Sequence, residues 1–194
     1  MSEATYPHAY EVVSAVVRAR RTSLAVDAAR VVPPSIVEAI CELARCAPNH
    51  KRTAPWRFAL ISGAARERLG TVVSRALHAS GETKSRVARA ASKYVRAPVV
   101  VVVGSAPGDS KLRSDENRDA VAAGIQNMLL AATALGLSSY WSSCPLIAHG
   151  DVAQFCGFEP RTHISGVIYL GWPATAATDE RRPPRPEGSV LHIL

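Results

Sequence analysis

The feature that most constrains the fold is a run of five consecutive valines at residues 99–103, inside the segment APVVVVVGS. A β-branched run without polar alternation is typical of a strand that is covered on both of its faces. Such a strand needs other parts of the chain packed above and below it. The run therefore predicts a layered domain with a buried central sheet.

Helical and extended patterns interleave along the rest of the chain. Apolar residues recur at helical spacing, which predicts helices at residues 7–20, 35–46, 115–136 and 149–155, with two basic helices across 64–95. Further strands are predicted at residues 56–62, 138–143 and 163–171, with a strand-like end to the tail at 189–194. Long helices between strands are typical of a three-layer α/β or α+β domain.

The length and composition are those of one compact domain. The chain has 194 residues, of which 47% are apolar, and this is enough for a substantial core. We expect a single domain over residues 1–194, with its core at about 12–173 and a Pro- and Arg-rich surface tail at 174–194. No apolar segment approaches the roughly 20 residues of a membrane span. The N-terminus lacks the apolar centre of a signal peptide, so we expect a cytoplasmic protein with no membrane partner and with buried thiols at its four cysteines.

The positive charge is concentrated in one part of the chain. The formal net charge is +7, and residues 64–97 hold eight Lys or Arg against two Glu. This stretch is either a solvated helical face or a surface that attracts nucleic acid or a phosphorylated cofactor such as NADPH. Nucleic acid is the less favoured partner, because Tyr94 is the only aromatic residue in the stretch that could stack on a base.

Several kinds of site are disfavoured because their motifs are missing. The sequence has no GxGxxG, no GxxxxGK[ST] and no GxSxG segment. Its six histidines are scattered without metal-ligand spacing, so we expect no metal site. The polar sets that remain are basic or hydroxylic, at residues 20–23, 49–52 and 142–143. Donors without partnering acids suit an anion rich in acceptors, and FMN, with its phosphate, polyhydroxyl chain and ring edge, is such a ligand.

The order of five motifs carries a resemblance to a known family. The sequence reads RRTS at 20–23, APNHKRTAPWRF at 47–58, RAPVVVVVGS at 96–105, AVAAGIQNMLLAATALGLSSYW at 120–141 and GVIYLGWP at 166–173. This ordered set resembles the FMN-dependent nitroreductase family, and in particular its short-chain branch of NAD(P)H nitroreductases. The resemblance runs from about residue 12 to residue 173.

The resemblance implies a fold, an assembly and a reaction. The fold would be α+β, a three-layer sandwich with a central mixed β-sheet between helices. Two copies of the chain would form an intertwined homodimer with FMN in two sites at the interface. Hydride would pass from NAD(P)H to flavin N5 and then, in a separate ping-pong step, to a small-molecule acceptor such as a nitroaromatic or a quinone. The flavin would carry the chemistry, so the resemblance implies no catalytic side chain.

The resemblance also implies which residues bind the cofactor. Arg20, Arg21 and Thr22 would contact the flavin phosphate and ribityl chain, and Ser23 could take the hydroxyl role of Thr22. His50 would reach the flavin from the partner subunit. Arg52 lies where longer relatives commonly place an Asn. The strand-end segment beside the flavin ring would be Trp141, Ser142 and Ser143, with a backbone N–H directed at N5.

Three departures from the family pattern and three alternatives stay open. Leu24 replaces a third basic residue, Ala54 replaces a Gln, and Thr22 replaces a Ser. The role of the missing basic residue could fall to one of three tail arginines, Arg181, Arg182 or Arg185. The cation beside the reduced flavin could be His50, Lys51 or Arg52. The physiological acceptor could instead be an enone or free flavin. From another class of function, the chain could be a basic protein that binds nucleic acid or a partner and keeps only a vestigial flavin site.

Overall fold

The computed structural model of the protein describes residues 7–174, and its centre is a four-stranded sheet. The strands are β1 (Trp56–Ser62), β2 (Val99–Ser105), β3 (Ser138–Ser142) and β4 (His163–Gly171). Their order across the sheet is β1-β2-β4-β3, so β2 and β4 are central while β1 and β3 are at the edges. The strands expected at residues 56–62, 138–143 and 163–171 are therefore confirmed to within a residue.

Six helices surround the sheet. They are α1 (His8–Ala19), α2 (Pro34–Ala44), α3 (Ala65–Ala79), α4 (Lys84–Ser92), α5 (Lys111–Ala134) and α6 (His149–Phe155). Short 3-10 turns lie at His50–Arg52, Lys93–Arg96 and Leu146–Ala148. The basic stretch indeed forms two helices, which separate where Gly81 adopts a φ of 79°. The helix expected at 115–136 begins four residues earlier, because the Ser110 side chain accepts a hydrogen bond from the Arg113 N–H and caps it.

The valine run is buried on both faces, as its composition predicts. Val99, Val101 and Val103 belong to a core with α2 and α5, which includes Ile40, Ile125 and Met128. The alternate residues Val100 and Val102 belong to a second core with α3 and α6, which includes Leu69, Val73 and Val152. Each buried valine contributes roughly 1.5–3 kcal/mol of transfer free energy. The chain is thus three layers thick, and the α+β sandwich is confirmed.

The sheet is antiparallel along all of its named strands. β2 pairs with both β1 and β4, and β3 pairs with β4. Within residues 7–174, parallel pairing is limited to an isolated bridge between Thr22 and Ser139. The four-stranded sheet is therefore antiparallel and not mixed as expected, and the isolated bridge lies on the outer edge of β3.

A glycine-terminated helix end directs the chain into β3. Gly136 has a φ of 77°, its N–H donates to the Thr133 carbonyl, and the Leu137 N–H donates to the Ala132 carbonyl at 2.8 Å. These two bonds form a Schellman motif, in which glycine avoids the strain of the left-handed conformation. The motif ends α5 and starts β3 at the sheet edge.

The described part of the chain contains no helix that is both long and apolar enough to cross a membrane. The tail strand expected at 189–194 and the three tail arginines considered above lie outside residues 7–174. The four cysteines do not all follow the expectation of burial. Cys41 and Cys144 are buried, but Cys156 is partly exposed, and Cys46 is exposed because it lies beyond the end of α2 on an open apolar groove.

Candidate functional site

Residues 20–23 lie along the outer edge of β3. After α1 ends, the Arg20 N–H still donates to the Val16 carbonyl at 3.0 Å, and the chain then turns to run beside the strand. Thr22 forms the parallel bridge to Ser139, and the Ser23 N–H donates to the Ser139 carbonyl at 3.0 Å. Pairing with Ser139 thus holds Thr22 and Ser23 at the start of β3, and Arg20 and Arg21 directly precede them in the chain.

The two guanidinium groups of this segment lie near its own backbone. The Arg20 Nη1 approaches the Thr22 hydroxyl at 3.5 Å. The Arg21 Nη1 donates to the carbonyl oxygens of Arg18 and Arg20. Both arginines are half-buried. Positive charge at the C-terminal end of a helix interacts favourably with the helix dipole, so this placement stabilises α1 and keeps two cations beside β3.

The other end of β3 carries the remaining predicted strand residues. Trp141 and Ser142 are neighbours in the strand, so their side chains point to opposite faces of the sheet. The Trp141 Nε1 donates to the Ser165 carbonyl at 3.2 Å. This contact requires glycine at position 166, because a Cβ there would lie 2.1 Å from the Trp141 Nε1. The Trp141 ring therefore fixes β3 against β4.

Ser142 and Ser143 line a cleft of about 490 Å³. The opposite side of this cleft is a cationic wall formed by Arg86, Arg89, Lys93 and Arg96. The charge count identified the basic stretch but did not connect it with Ser142 and Ser143. The spacing of the four residues was a usable signal, since intervals of three, four and three place them on one helical face.

The charges of the wall are unequally compensated. Arg86 forms an ion pair with Glu82, with 2.6 Å between Nη1 and Oε1. Lys93 is half-buried, and this desolvation lowers the pKa of its ammonium group. Its Nζ lies 4.9 Å from the centre of the Tyr94 ring, a cation–π contact. Within residues 7–174, no carboxylate lines the cleft, so this part of its lining is electropositive.

His149 holds the segment that follows β3. Its Nδ1 accepts a hydrogen bond from the Ile164 N–H at 3.3 Å, which leaves the proton on Nε2 to be donated to the Cys144 carbonyl, also at 3.3 Å. Burial, with a smaller contribution from the charge of Arg118, lowers the pKa of His149 and favours this neutral form. The ring thereby ties the end of the Ser142–Ser143 segment to β4.

The loop at residues 49–54 is held elsewhere on the molecule. The His50 Nδ1 lies 2.9 Å from a carboxylate oxygen of Glu116 on α5, and Arg113 contacts both residues. The backbone is left-handed at Lys51, Arg52 and Ala54, with φ of 62°, 51° and 48°. Such values are uncommon for residues other than glycine, so the loop stores conformational strain.

A chain of amide and hydroxyl hydrogen bonds maintains this strained loop. The Asn49 side-chain oxygen accepts from the Ala54 N–H at 2.9 Å, and the Asn49 amide donates to the Thr53 hydroxyl at 3.1 Å. Thr53 in turn donates to the buried Asn117, whose amide donates to the Ala106 carbonyl at 3.1 Å. The loop is thus fixed on α5, whereas α4 and the cationic wall belong to the opposite face of the sheet.

The predicted binding residues therefore form two groups in one chain. Residues 20–23 and the segment Trp141–Ser143 share the edge of β3, since Ser139, the partner of Thr22, lies three residues or about 10 Å before Ser142 along the strand. His50 and Arg52 do not line the cleft of Ser142 and Ser143. At the start of β3, residues 20–23 offer guanidinium and hydroxyl donors. At its end, Ser142 and Ser143 offer hydroxyl and backbone groups beside the cationic wall. This donor set fits a ligand with a phosphate, a polyhydroxyl chain and an electron-poor ring, as in FMN.

Comparison with known proteins gives a consistent result. A sequence model of the nitroreductase family matches residues 17–172. The Escherichia coli (strain K12) protein named "Putative NAD(P)H nitroreductase YdjA" is 30% identical over 148 residues, which cover 76% of this chain and 81% of that protein.

Solved structures share the fold. A nitroreductase-like family protein from Bacillus cereus superposes with a TM-score of 0.74 at 24% identity, covering 94% of this chain and 95% of that chain. A nitroreductase with bound FMN from Bacteroides fragilis superposes with a TM-score of 0.71 at 22% identity, covering 93% of this chain and 98% of that chain. At these identities the structural likeness concerns the fold.

Proposed function

The chain belongs to the nitroreductase family, and on that premise we propose that it is an FMN-dependent oxidoreductase. Its reductant would be NAD(P)H, and its acceptor a nitroaromatic, a quinone or a similar small molecule. The observation that carries the proposal is the edge of β3, where residues 20–23 and the Ser142–Ser143 segment are aligned on one strand. The cytoplasm stays the proposed location.

In this proposal residues 20–23 hold the phosphate end of the cofactor. The guanidinium groups of Arg20 and Arg21 would donate charge-assisted hydrogen bonds to the phosphate oxygens, which are stronger than neutral ones. The hydroxyls of Thr22 and Ser23 would complete the donor set for the phosphate and the ribityl chain. Leu24 supplies no charge here, and it packs against the second core.

The Ser142–Ser143 segment would hold the flavin ring by its backbone. FMN bound there would supply the redox chemistry, accepting hydride at N5 from NAD(P)H and passing it to the acceptor in a second half-reaction. The cationic wall lowers the energy of negative charge in the cleft. Lys93 and Arg96 therefore join His50, Lys51 and Arg52 as candidates for the cation beside the ring. No side chain acts as a nucleophile, and the acceptor would take its proton from solvent.

A homodimer completes the proposed site. α1 has no buried residue, and Val13 is 60% exposed. Together with Leu43 of α2 and residues of α5, the valines of α1 line an apolar groove of about 290 Å³. Exposed apolar patches of this kind mark interaction surfaces. We propose that a second copy of the chain covers this groove and brings its own loop at residues 49–54 to the cleft.

The alternatives differ in how well the structure supports them. An enone or free flavin as the acceptor is compatible with the same cleft, and this reading stays open. A nucleic-acid function is not favoured, because the single aromatic residue of the basic stretch, Tyr94, is 0% exposed and cannot stack on a base.

Absorption spectroscopy and steady-state kinetics test the proposal. We expect the purified protein to bind FMN with a perturbed flavin spectrum, and to oxidise NAD(P)H only when FMN and an acceptor are present. Double-reciprocal plots at several acceptor concentrations should be parallel, as a ping-pong reaction requires. A protein that leaves the flavin spectrum unchanged would contradict the proposal. A panel of nitroaromatics, quinones, enones and free flavin would rank the acceptors by kcat/KM.

A further inference from the structure

His149 is a titratable side chain close to the Ser142–Ser143 segment, and both of its ring nitrogens are bonded. The Nδ1 accepts from the Ile164 N–H of β4, and the Nε2 donates to the Cys144 carbonyl, each at 3.3 Å. Ile164 is 2% exposed, so its N–H depends on an acceptor within the protein. Cys144 directly follows Ser143. The ring therefore joins a buried donor of β4 to the end of the segment proposed to hold the flavin.

The ring is bonded to β4 beside a β-bulge. Ser165 is an extra residue in β4, because its two neighbours, Ile164 and Gly166, are paired with consecutive residues of β2. A bulge disrupts the ladder of backbone hydrogen bonds locally, and bulges are common next to active sites. The acceptor that His149 supplies therefore supports β4 at a point where strand pairing is weakened.

Residues 141–144 are attached to this part of β4 at both of their ends. At one end the Trp141 indole donates to the Ser165 carbonyl at 3.2 Å. At the other end His149 links the Cys144 carbonyl to β4. The indole N–H does not titrate, whereas an imidazole ordinarily gains a proton at a pH of about 6.5. Of these two attachments, the one through His149 is therefore the one that acid can break.

A protonated ring cannot form the same two bonds. An imidazolium carries a proton on each nitrogen, so its Nδ1–H and the Ile164 N–H would be two donors facing each other at 3.3 Å. The ring of His163 meets that of His149 edge to face, with 4.9 Å between the ring centroids. Burial is the main cause that lowers the pKa of each of these two histidines, and a positive charge on either one disfavours protonation of the other. The local structure thus favours a neutral pair.

Three helices contribute the charged side chains around this pair. They line the cavities beside His163 and beside α6, and they are Asp115, Arg118 and Asp119 of α5, Arg75 of α3 and Asp151 of α6. Arg118 lowers the pKa of both histidines, and its 3.5 Å ion pair with Asp115 offsets part of its charge. In the described part of the chain, no carboxylate lies within ion-pair distance of either ring. The Cys144 thiol is neutral, because burial raises its pKa to about 11. No nearby anion therefore holds a proton on His149.

We infer that neutral His149 positions the flavin-binding segment, and that protonation of its ring in mild acid releases the segment and weakens FMN binding. The inference rests on the proposed function, since it assigns a positioning residue to that same segment. The attached form requires a neutral ring, so the attachment is complete above the ordinary pKa of about 6.5 and is lost as the pH falls through the lowered pKa of the folded protein. His149 does not line the cleft, so it acts through Cys144.

NMR spectroscopy of the histidine rings tests the premise on the protein without cofactor. Long-range ¹H–¹⁵N correlation spectra at pH 7.5 should show His149 as the neutral tautomer with its proton on Nε2. The variant His149→Asn identifies the signals by their disappearance. A charged ring at pH 7.5, or a neutral ring with its proton on Nδ1, would overturn the inference.

Fluorescence titration with FMN at pH 7.5 and pH 5.5 tests the consequence. His149→Phe keeps a ring but removes both hydrogen bonds, so its Kd at pH 7.5 should be about fivefold or more above that of the wild type. His149→Asn keeps an acceptor for the Ile164 N–H in a group that does not titrate, and its Kd should lie between the two. His78→Asn is the matched control, because His78 is an exposed histidine of α3 that does not line the cleft.

The pH dependence separates the possible outcomes. A phosphate monoester also titrates near pH 6, so the ratio of the Kd at pH 5.5 to that at pH 7.5 in His149→Asn gives the contribution of the ligand. The wild type and His78→Asn should exceed this ratio by between about threefold and 10-fold, because one titrating group contributes at most about 10-fold one pH unit below its ordinary pKa. Equal ratios in the wild type and His149→Asn, or a His149→Phe protein with wild-type affinity, would overturn the inference. Failure of the proposed function is distinct, since it would appear as a wild-type protein that does not bind FMN at pH 7.5.

Discussion

The edge of β3 and the loop at residues 49–54 position polar groups in two different ways. At the β3 edge, strand pairing and backbone hydrogen bonds to Ser139 hold residues 20–23, and the Trp141 ring packs over Gly166. In the loop, three non-glycine residues have left-handed backbone, and side chains of Asn49, Thr53 and Asn117 maintain the conformation. The position of residues 20–23 thus depends on backbone hydrogen bonds, whereas the conformation of the loop depends on side-chain hydrogen bonds.

This difference bears on where the site is completed. The β3 edge and the cationic wall already form a donor-rich cleft within one chain. The loop is fixed on α5, and neither His50 nor Arg52 lines that cleft. Backbone strain that is held in place is typical of functional sites, although this loop does not line its own chain's cleft. We therefore expect the loop to serve the partner's cleft.

The largest effect should come from crowding the β3 edge. Gly166→Ala places a Cβ 2.1 Å from the Trp141 Nε1, so the ring must leave its position and β3 must shift. We expect the free energy of unfolding to fall by about 3 kcal/mol, with loss of FMN binding. Urea denaturation measures the first effect and fluorescence titration with FMN the second.

Gly150→Ala is the matched control for that substitution. Gly150 lies in α6, and a Cβ there would meet nothing within 4 Å. Alanine should leave stability unchanged or raise it by up to about 1 kcal/mol. A Gly166→Ala protein as stable as the Gly150→Ala protein would mean that Trp141 does not fix β3.

Removing one cation from the β3 edge should affect binding and spare folding. Arg20→Ala should weaken FMN binding by about 1.5–3 kcal/mol, because a charge-assisted contact to the phosphate is lost. The free energy of unfolding should change by less than about 0.5 kcal/mol. Arg18→Ala, in the last turn of α1, is the control and should leave the FMN dissociation constant unchanged. Unchanged flavin affinity in Arg20→Ala would exclude Arg20 from the site.

The loop should respond to loss of a side chain that holds it. Asn117 is 2% exposed and links Thr53 to the Ala106 carbonyl, so Asn117→Ala should lower the free energy of unfolding by about 2 kcal/mol. Urea denaturation gives this value, with Gln126→Ala on the exposed face of α5 as the control. A change no larger than that of Gln126→Ala would show that the loop does not depend on this network.

The smallest effect tests the strain itself. Ala54 is exposed and has a φ of 48°, so Ala54→Gly should raise the free energy of unfolding by about 0.5 kcal/mol, the relief of strain exceeding the entropy lost by glycine. Ala64→Gly is the same substitution at an exposed residue with a right-handed φ of −64°, and it should lower stability by a few tenths of a kcal/mol. Equal signs for the two would mean that the loop backbone is relaxed.

The sequence predicts the helices and strands of this protein better than it predicts which of them contact one another. The valine run, the two basic helices and α5 follow from local composition and spacing, and their burial agrees with it. The pairing of Thr22 with Ser139 joins residues far apart in the chain, and no local pattern encodes it. The same holds for the meeting of Arg89 and Arg96 with Ser142.

The left-handed loop was beyond prediction for another reason. Residues 51–54 contain no glycine, so no local pattern indicates positive φ. The conformation depends on two side-chain hydrogen bonds, from the Ala54 N–H to Asn49 and from Thr53 to Asn117 on α5. Cys46 shows the limit of composition, since it was expected to be buried and is exposed on the groove beside α1. Both features lie on the side of the molecule that we assign to the second copy.

A mixed dimer tests most directly whether the site combines the β3 edge of one chain with the loop of the other. Arg20→Ala and His50→Ala chains would be co-expressed with different tags, the heterodimer isolated by two affinity steps, and FMN titrated by fluorescence against each homodimer. Our account predicts weak binding in both homodimers and one site of wild-type affinity per heterodimer, because one cleft then has both residues intact. A heterodimer in which every site is weak, or a protein that yields no dimer, would contradict it.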